Sequence, residues 1–273
     1  MSSIHNVRTT ASRAADSRPL EILARGGFVA YGVIHLLFAW LALQVAFGDS
    51  SSETDQSGAL KTLAQQPAGE LLVVGIIIGM AAMAVWQAFA AVIGESGPQD
   101  RTAMAERVVS GCRTVLYLYF AYLGYKVVSG ANASQSQSQQ STASSMMDSG
   151  GGRLLVGLAG VVVAGVGVGL VVYGLTKKFE KHLDTGRMRP SVRRTVERLG
   201  TAGYTSKGVA YGVSGVLIVS AAVGYDPEKA GGLDAALKTL AGTAWGPWLL
   251  GLIALGIACF GVYCFFQARY RKV

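Results

Sequence analysis

The sequence predicts an all-α membrane protein: six transmembrane helices arranged as three parallel two-helix repeats with pseudo-threefold symmetry. Three observations predict it. Of 273 residues, 51% are apolar and only 15% charged, which is too apolar for a soluble domain. Six apolar stretches approach the length of about 20 residues that a spanning helix needs. Two short segments recur unchanged and in the same order. The composition also excludes a disordered chain, a disulfide-stapled secreted domain and a conventional soluble enzyme.

The elements follow in order. Residues 1–19 form a basic tail with Arg8, Arg13 and Arg18. The first span, Phe28 to Phe47, follows them as a secretory signal would. Its apolar run exceeds the about 7–15 residues of a signal, and Gly48-Asp49-Ser50 offers no small-x-small cleavage site, so it reads as a retained helix. Next comes Ala59 to Ala64, where Leu60 and Leu63 share a helical face and Lys61 lies off it. That pattern predicts a short helix lying in the outer interface as a lid. The second span is Leu71 to Ile93.

The third span, Val108 to Val128, is weaker, because it carries Arg113 near its start and the five aromatics Tyr117, Tyr119, Phe120, Tyr122 and Tyr125. These rings encircle the helix, which suits belt and packing use rather than a ligand wall. The Gln- and Ser-rich stretch from Ser134 to Ser145 reads as a flexible polar loop. The fourth span, Leu154 to Leu175, is nearly smooth with Gly and Val. The fifth, Gly208 to Val223, is short unless Tyr204 to Ser206 extend it. The sixth, Trp248 to Phe266, is anchored by Trp245 and Trp248. Without the third and fifth spans the count would fall to four. Cys112, Cys259 and Cys264 lie in or beside spans with no Cys-x-x-Cys spacing, so they read as reduced, packed thiols.

Sidedness comes from charge. Of the 24 Lys and Arg, 19 fall in the two tails and the second and fourth loops, with Lys207 counted in the fourth loop. By the positive-inside rule both termini are cytoplasmic and the protein is a multi-pass component of the cell membrane. The net charge of +8 then marks a lipid-facing cytoplasmic surface and does not call for nucleic acid.

The repeat is the strongest signal. Val29-Ala30-Tyr31-Gly32-Val33 recurs as Val209-Ala210-Tyr211-Gly212-Val213, displaced by 180 residues. Ala59-Leu60-Lys61-Thr62-Leu63-Ala64 recurs as Ala236-Leu237-Lys238-Thr239-Leu240-Ala241, displaced by 177. A degraded third copy lies between, with Phe120 about where the others have Tyr31 and Tyr211. The units are residues 20–95, 104–182 and 197–273, the last with the C-terminal tail, and 183–196 form a basic linker. An even number of spans per unit makes the repeats parallel, unlike the inverted repeats of many transporters. Tyr31, Phe120 and Tyr211 are expected at equivalent positions around the axis. These paired segments and basic linkers resemble a bacterial membrane family, common in actinobacteria, catalogued as domain of unknown function 1206. The resemblance implies a six-helix membrane protein and carries no catalytic residues.

No Ser-His-Asp set, metal-spaced cluster, phosphate loop or nucleotide fingerprint occurs, so no enzyme activity, catalytic residue, cofactor or metal is expected. His35 is the only histidine inside a span and, with Gln44, Gln87 and Gln267, forms the candidate intramembrane polar set. Hydrogen-bonded packing is the plainer role for these residues, with proton or ligand handling as the alternative for His35. Gly75, Gly79, Gly165, Gly169 and Gly256 are candidate helix-packing positions, by small-x-x-x-small spacing or repeat equivalence. Expected partners are membrane lipids and a membrane protein or second copy, with no nucleic acid. Two functions compete: a non-enzymatic accessory or scaffold component of a cell-envelope or membrane complex, and a channel or transporter for a small or amphipathic solute along the axis. The first leads because the spans hold almost no charge, and a polar path would need some.

Overall fold

The computed structural model describes residues 18–48, 53–93, 101–131, 133–149 and 151–271; most of the N-terminal tail and the last two residues of the C-terminal tail lie outside them. Nine α-helices and no strands occur among the described residues. The long ones are α1 (Arg18–Ala46), α3 (Gly69–Ile93), α4 (Arg101–Val128), α6 (Gly152–Leu175), α7 (Pro190–Gly224) and α9 (Gly246–Tyr270). The short ones are α2 (Gln56–Ala64), α5 (Gln135–Met147) and α8 (Gly232–Ala241). The chain therefore repeats a long–short–long unit three times.

Five helices, α1, α3, α6, α7 and α9, are long and apolar enough to cross a membrane. Helix α4 is as long but falls short of that hydropathy, because Arg107, Arg113, Lys126 and its tyrosines dilute the apolar run.

The Gln- and Ser-rich segment is a helix, not the flexible loop that its polarity suggested. Ser134 caps it by accepting from the Gln137 N–H at 3.2 Å. The Ser138 and Thr142 hydroxyls donate to carbonyls one turn back, both at 2.7 Å. Ala143 and Met147 bury against Val156, Ala221 and Ala222. Bonds of this kind satisfy the hydroxyls but stabilise a helix little, so the buried contacts of Ala143 and Met147 are what hold the segment in place. The other two short helices are likewise more than interfacial lids. The first turn of α2 is buried from Gln56 to Leu60, and α8 buries Gly232, Leu233, Asp234, Ala236 and Leu237.

The long helices pair in a cyclic order. The last helix of each repeat packs along the first helix of the next: α3 on α4, α6 on α7, and α9 on α1. Within repeats, α1 packs on α3 and α7 on α9, but α4 and α6 do not pack along each other.

Glycine makes these crossings close. On α6, Gly160, Gly167 and Gly174 recur every seven residues and face α7, where a side chain on Gly167 would meet the backbones of Gly208 and Gly212. Gly261 on α9 meets Gly32 on α1 in the same way. Gly79 lies against Gly27 and Ala30, and Gly256 against Ser206. The tight contacts expected at Gly75, Gly165 and Gly169 are not made, since each faces open space within the chain. The stripe through Gly167 turns Gly165 and Gly169, two residues to either side, by about 160° to the far face of α6.

Opposite ends of the bundle are finished differently. At one, Arg25 donates to the carbonyls of Ala268 (2.6 Å) and Arg269 (2.8 Å), holding the α9 C-terminus. There the linker between α6 and α7 inserts Phe179 against Tyr173, Tyr204 and Tyr263. At the other end the three short helices meet, with their N-termini adjacent.

Candidate functional site

The interior of the bundle is aromatic. Tyr31 on α1 touches Tyr117 and Phe120 on α4 and Phe260 on α9, with ring centroids 5.6, 6.2 and 6.0 Å away. Tyr211 lies within electrostatic reach of Tyr31. Of the expected axis positions Tyr31, Phe120 and Tyr211, the first two are in ring contact.

One ionisable side chain enters this interior from α7. Lys207 Nζ donates to the Tyr31 hydroxyl at 3.1 Å and lies 3.0 Å from His35 Nε2. The His35 Nδ1 sits 2.8 Å from the Tyr31 carbonyl. A carbonyl only accepts, so Nδ1 carries the proton and neutral His35 offers a bare Nε2 to Lys207. The ammonium also stands over the Phe260 ring at 3.9 Å and the Tyr31 ring at 5.1 Å. Tyr31, His35, Lys207 and Phe260 each lie at least ten residues from either end of their helices.

The electrostatics are unbalanced. Lys207's partners are a hydroxyl, an imidazole and two aromatic faces, and none is a carboxylate. The cation–π contacts offset part of the desolvation, but a buried charge is ordinarily paired. An ammonium has three donors, and two of them are engaged here.

At the end closed by the short helices the sign is reversed. Burial pushes the Asp55 carboxyl above its usual range, and neighbouring Glu53 and Asp234 add to the effect.

The polar set expected from sequence is only partly assembled. His35 is buried (1% exposed) and belongs to the cluster. Gln87 and Gln267 are buried and Gln44 half-buried, but none is a partner of His35 or Lys207. Lys207 itself corrects the sequence reading, which placed it among the loop charges. It stands one residue before the apolar run at Gly208, and α7 continues unbroken through both. The signal lay in the repeat, whose 180-residue displacement sets Lys207 opposite Gly27, inside a helix crossing.

An all-helical bundle of three repeated units, with five helices fit to cross a membrane and an ionisable cluster inside, defines a repeat-built membrane protein. The family model for the Domain of Unknown Function DUF1206 matches residues 26–94, 109–177 and 202–271, and the chain belongs to that family. A relative from Bacillus subtilis (strain 168), titled "Uncharacterized protein YxxB", is 27% identical over 255 residues, covering 93% of this chain and 92% of its own length. No solved structure matches.

Proposed function

We propose that this chain binds the anionic group of an amphipathic solute at Lys207, within the membrane, and carries it between leaflets. The observation that supports this most is the interior ammonium with no carboxylate partner. It removes the argument against a polar path, which rested on spans nearly free of charge.

The route enters from the bilayer. In the first and third repeats, Gly79 and Gly256 allow the two long helices to close. Each stands five residues before a small residue, Ala84 and Gly261, and Gly261 makes the crossing to α1. The middle repeat has Gly167 at its crossing to α7 and Val162 five residues earlier, and there α4 and α6 stay apart. A lateral opening suits a lipid-like molecule whose acidic head reaches Lys207 while its tail remains in hydrocarbon.

In this reading α4 is the sixth span, since it packs along α3 as α7 does along α6. The repeats are related by a pseudo-threefold axis along the membrane normal. Both termini face the cytoplasm, the membrane is the plasma membrane, and the activity is non-enzymatic. An accessory or scaffold role is the second reading. It is favoured by α6, the least buried of the five apolar helices.

The test is flux in liposomes of the purified protein, comparing a labelled anionic lipid with its zwitterionic analogue. Faster movement of the anionic lipid, lost in Lys207→Met, is the expected result. Equal or absent movement of both would overturn the carrier and leave the accessory role.

A further inference from the structure

We infer that the ring of short helices holds an alkali-metal cation, bound by the Asp55 carboxylate with neutral oxygens of Thr54 and Gln135. This site lies at the far end of the bundle from the linker, opposite in charge to Lys207 and independent of the carrier reading.

The ring closes head to tail through equivalent positions. Ser57 is the second residue of α2 and Ser136 the second of α5, and Asp234, the third of α8, is the residue that the 177-residue displacement pairs with Ser57. The Ser57 hydroxyl accepts from the Gln135 N–H at 3.1 Å, at the start of α5. Asp234 Oδ1 accepts from the Thr54 N–H at 2.7 Å, just before α2. Ser136 Oγ lies against Gly231, at the start of α8.

These contacts use up donors. Asp55 Oδ1 takes the N–H groups of Ser57 (2.8 Å) and Gly58 (3.0 Å), so the positive end of α2 is already neutralised by its own cap. The acceptors are left over. Asp55 Oδ2, Thr54 Oγ1, Gln135 Oε1 and Gln139 Oε1 are all buried without a hydrogen-bond partner. Thr54, Asp55 and Gln135 are 0%, 1% and 9% exposed. Thr54, Asp55 and Gln135 are drawn together where the Gln135 N–H bonds Ser57, and their orphaned oxygens call for a positively charged guest, because a buried acceptor without a partner costs about 1–3 kcal/mol.

The charge count selects its valence. Glu53 is paired with Lys61 at 3.0 Å and Asp234 with Lys238 at 3.1 Å. Asp55 has no cation partner among the described residues, which leaves one negative charge. Carboxylate, hydroxyl and amide oxygens suit a hard cation. No group of three His, Cys, Asp or Glu is placed to hold a metal ion among the described residues, which argues against transition metals and multivalent cages. Sodium is the natural probe.

The experiment measures thermal unfolding of the detergent-purified full chain in sodium chloride and in choline chloride at equal ionic strength. Sodium is expected to raise the midpoint saturably. Asp55→Asn keeps an N-cap of similar strength yet should lose the sodium-specific rise. Thr54→Val, which retains the N–H bonded to Asp234, should weaken it. Line broadening of the sodium-23 resonance by the unmodified chain, competed away by potassium or lithium, reads the same site without any variant. An equal midpoint in both salts with no broadening, a response to calcium alone, or an undiminished sodium response in Asp55→Asn would overturn the proposal.

Discussion

The first and third repeats lay the same crossing down twice and fill it differently. Gly79 closes α3 onto α1 at Gly27 and Ala30, and Gly256 closes α9 onto α7 at Ser206. In the first repeat Gly27 makes room for Met83. The equivalent residues of the third are Lys207 and Phe260, an ammonium on an aromatic face. His35 follows the same logic in reverse: its counterpart is Gly215, which packs directly on α6. The backbone is repeated, but the chemistry enters once, where Lys207 from one repeat meets His35 from another. An internally repeated fold can therefore carry a single asymmetric site, and a position that is glycine in one copy marks where another has room for function.

The largest effect is expected where backbones touch. Gly215→Leu would drive a side chain into the Ala164 backbone. Overpacking of this kind costs about 1–3 kcal/mol and sometimes more, read as a lower thermal midpoint in detergent. Gly212→Leu, at a position with open space around its own side-chain direction, should cost distinctly less. Equal losses would mean that the glycines of α7 serve something other than the α6 crossing.

Next comes the contact between Lys207 and neutral His35. Lys207→Met removes a half-buried charge that has no carboxylate partner and makes the third repeat resemble the first. By analogy with buried ion pairs replaced by apolar groups, stability should hold or rise by about 1–4 kcal/mol, while anionic-lipid movement is lost. His35→Leu leaves the ammonium without its imidazole acceptor and should cost about 1–3 kcal/mol. If Lys207→Met instead unfolds the protein, the lysine is structural and the contrast between repeats loses its functional meaning.

How far the sequence reveals this depends on the kind of signal. Long apolar runs and identical segments such as Val29–Val33 and Val209–Val213 report the spans and the repeat directly, because hydropathy and identity need no partner. Helix α5 was not legible, since what holds it, beside the Ser134 cap, is tertiary: the packing of Met147 with Ala221 and Ala222. The glycine spacing was ambiguous as well. Helix α6 offers several small-residue stripes, and only contact with α7 selects Gly160, Gly167 and Gly174. Lys207 was obscured by its place at the edge of an apolar run, where a lysine ordinarily reaches toward water; here its partners lie inward.

A smaller effect separates the two repeat-equivalent tyrosines. Tyr31→Phe removes the hydroxyl that receives the Lys207 proton. A hydrogen bond to a charged group contributes about 1.5–3 kcal/mol, so the unfolding midpoint should fall, and by less in a Lys207→Met background. Tyr211→Phe touches no ionised partner and should change stability little. A double-mutant cycle between Tyr31 and Lys207 that shows no coupling would break the proposed division between scaffold and site.

The smallest effect tests the outer face of α6. Gly165 and Gly169 face open space within the chain, so Gly165→Ala and Gly169→Ala meet no steric opposition. In a water-exposed helix the exchange gains about 0.5–1 kcal/mol by restricting the unfolded chain; in a membrane, where the unfolded state is itself helical, the gain should be smaller still. Stability of the isolated chain is therefore expected to stay flat or rise slightly. Membrane extracts provide the sharper reading. If a partner helix or a second copy packs on this smooth face as α7 packs on the opposite one, the added methyl groups will separate it from Gly165 and Gly169. The larger assembly would then dissociate on a native gel while the chain alone remains as stable as before. An assembly unchanged by both substitutions would make lipid the only neighbour of that face and withdraw the main support for the accessory role.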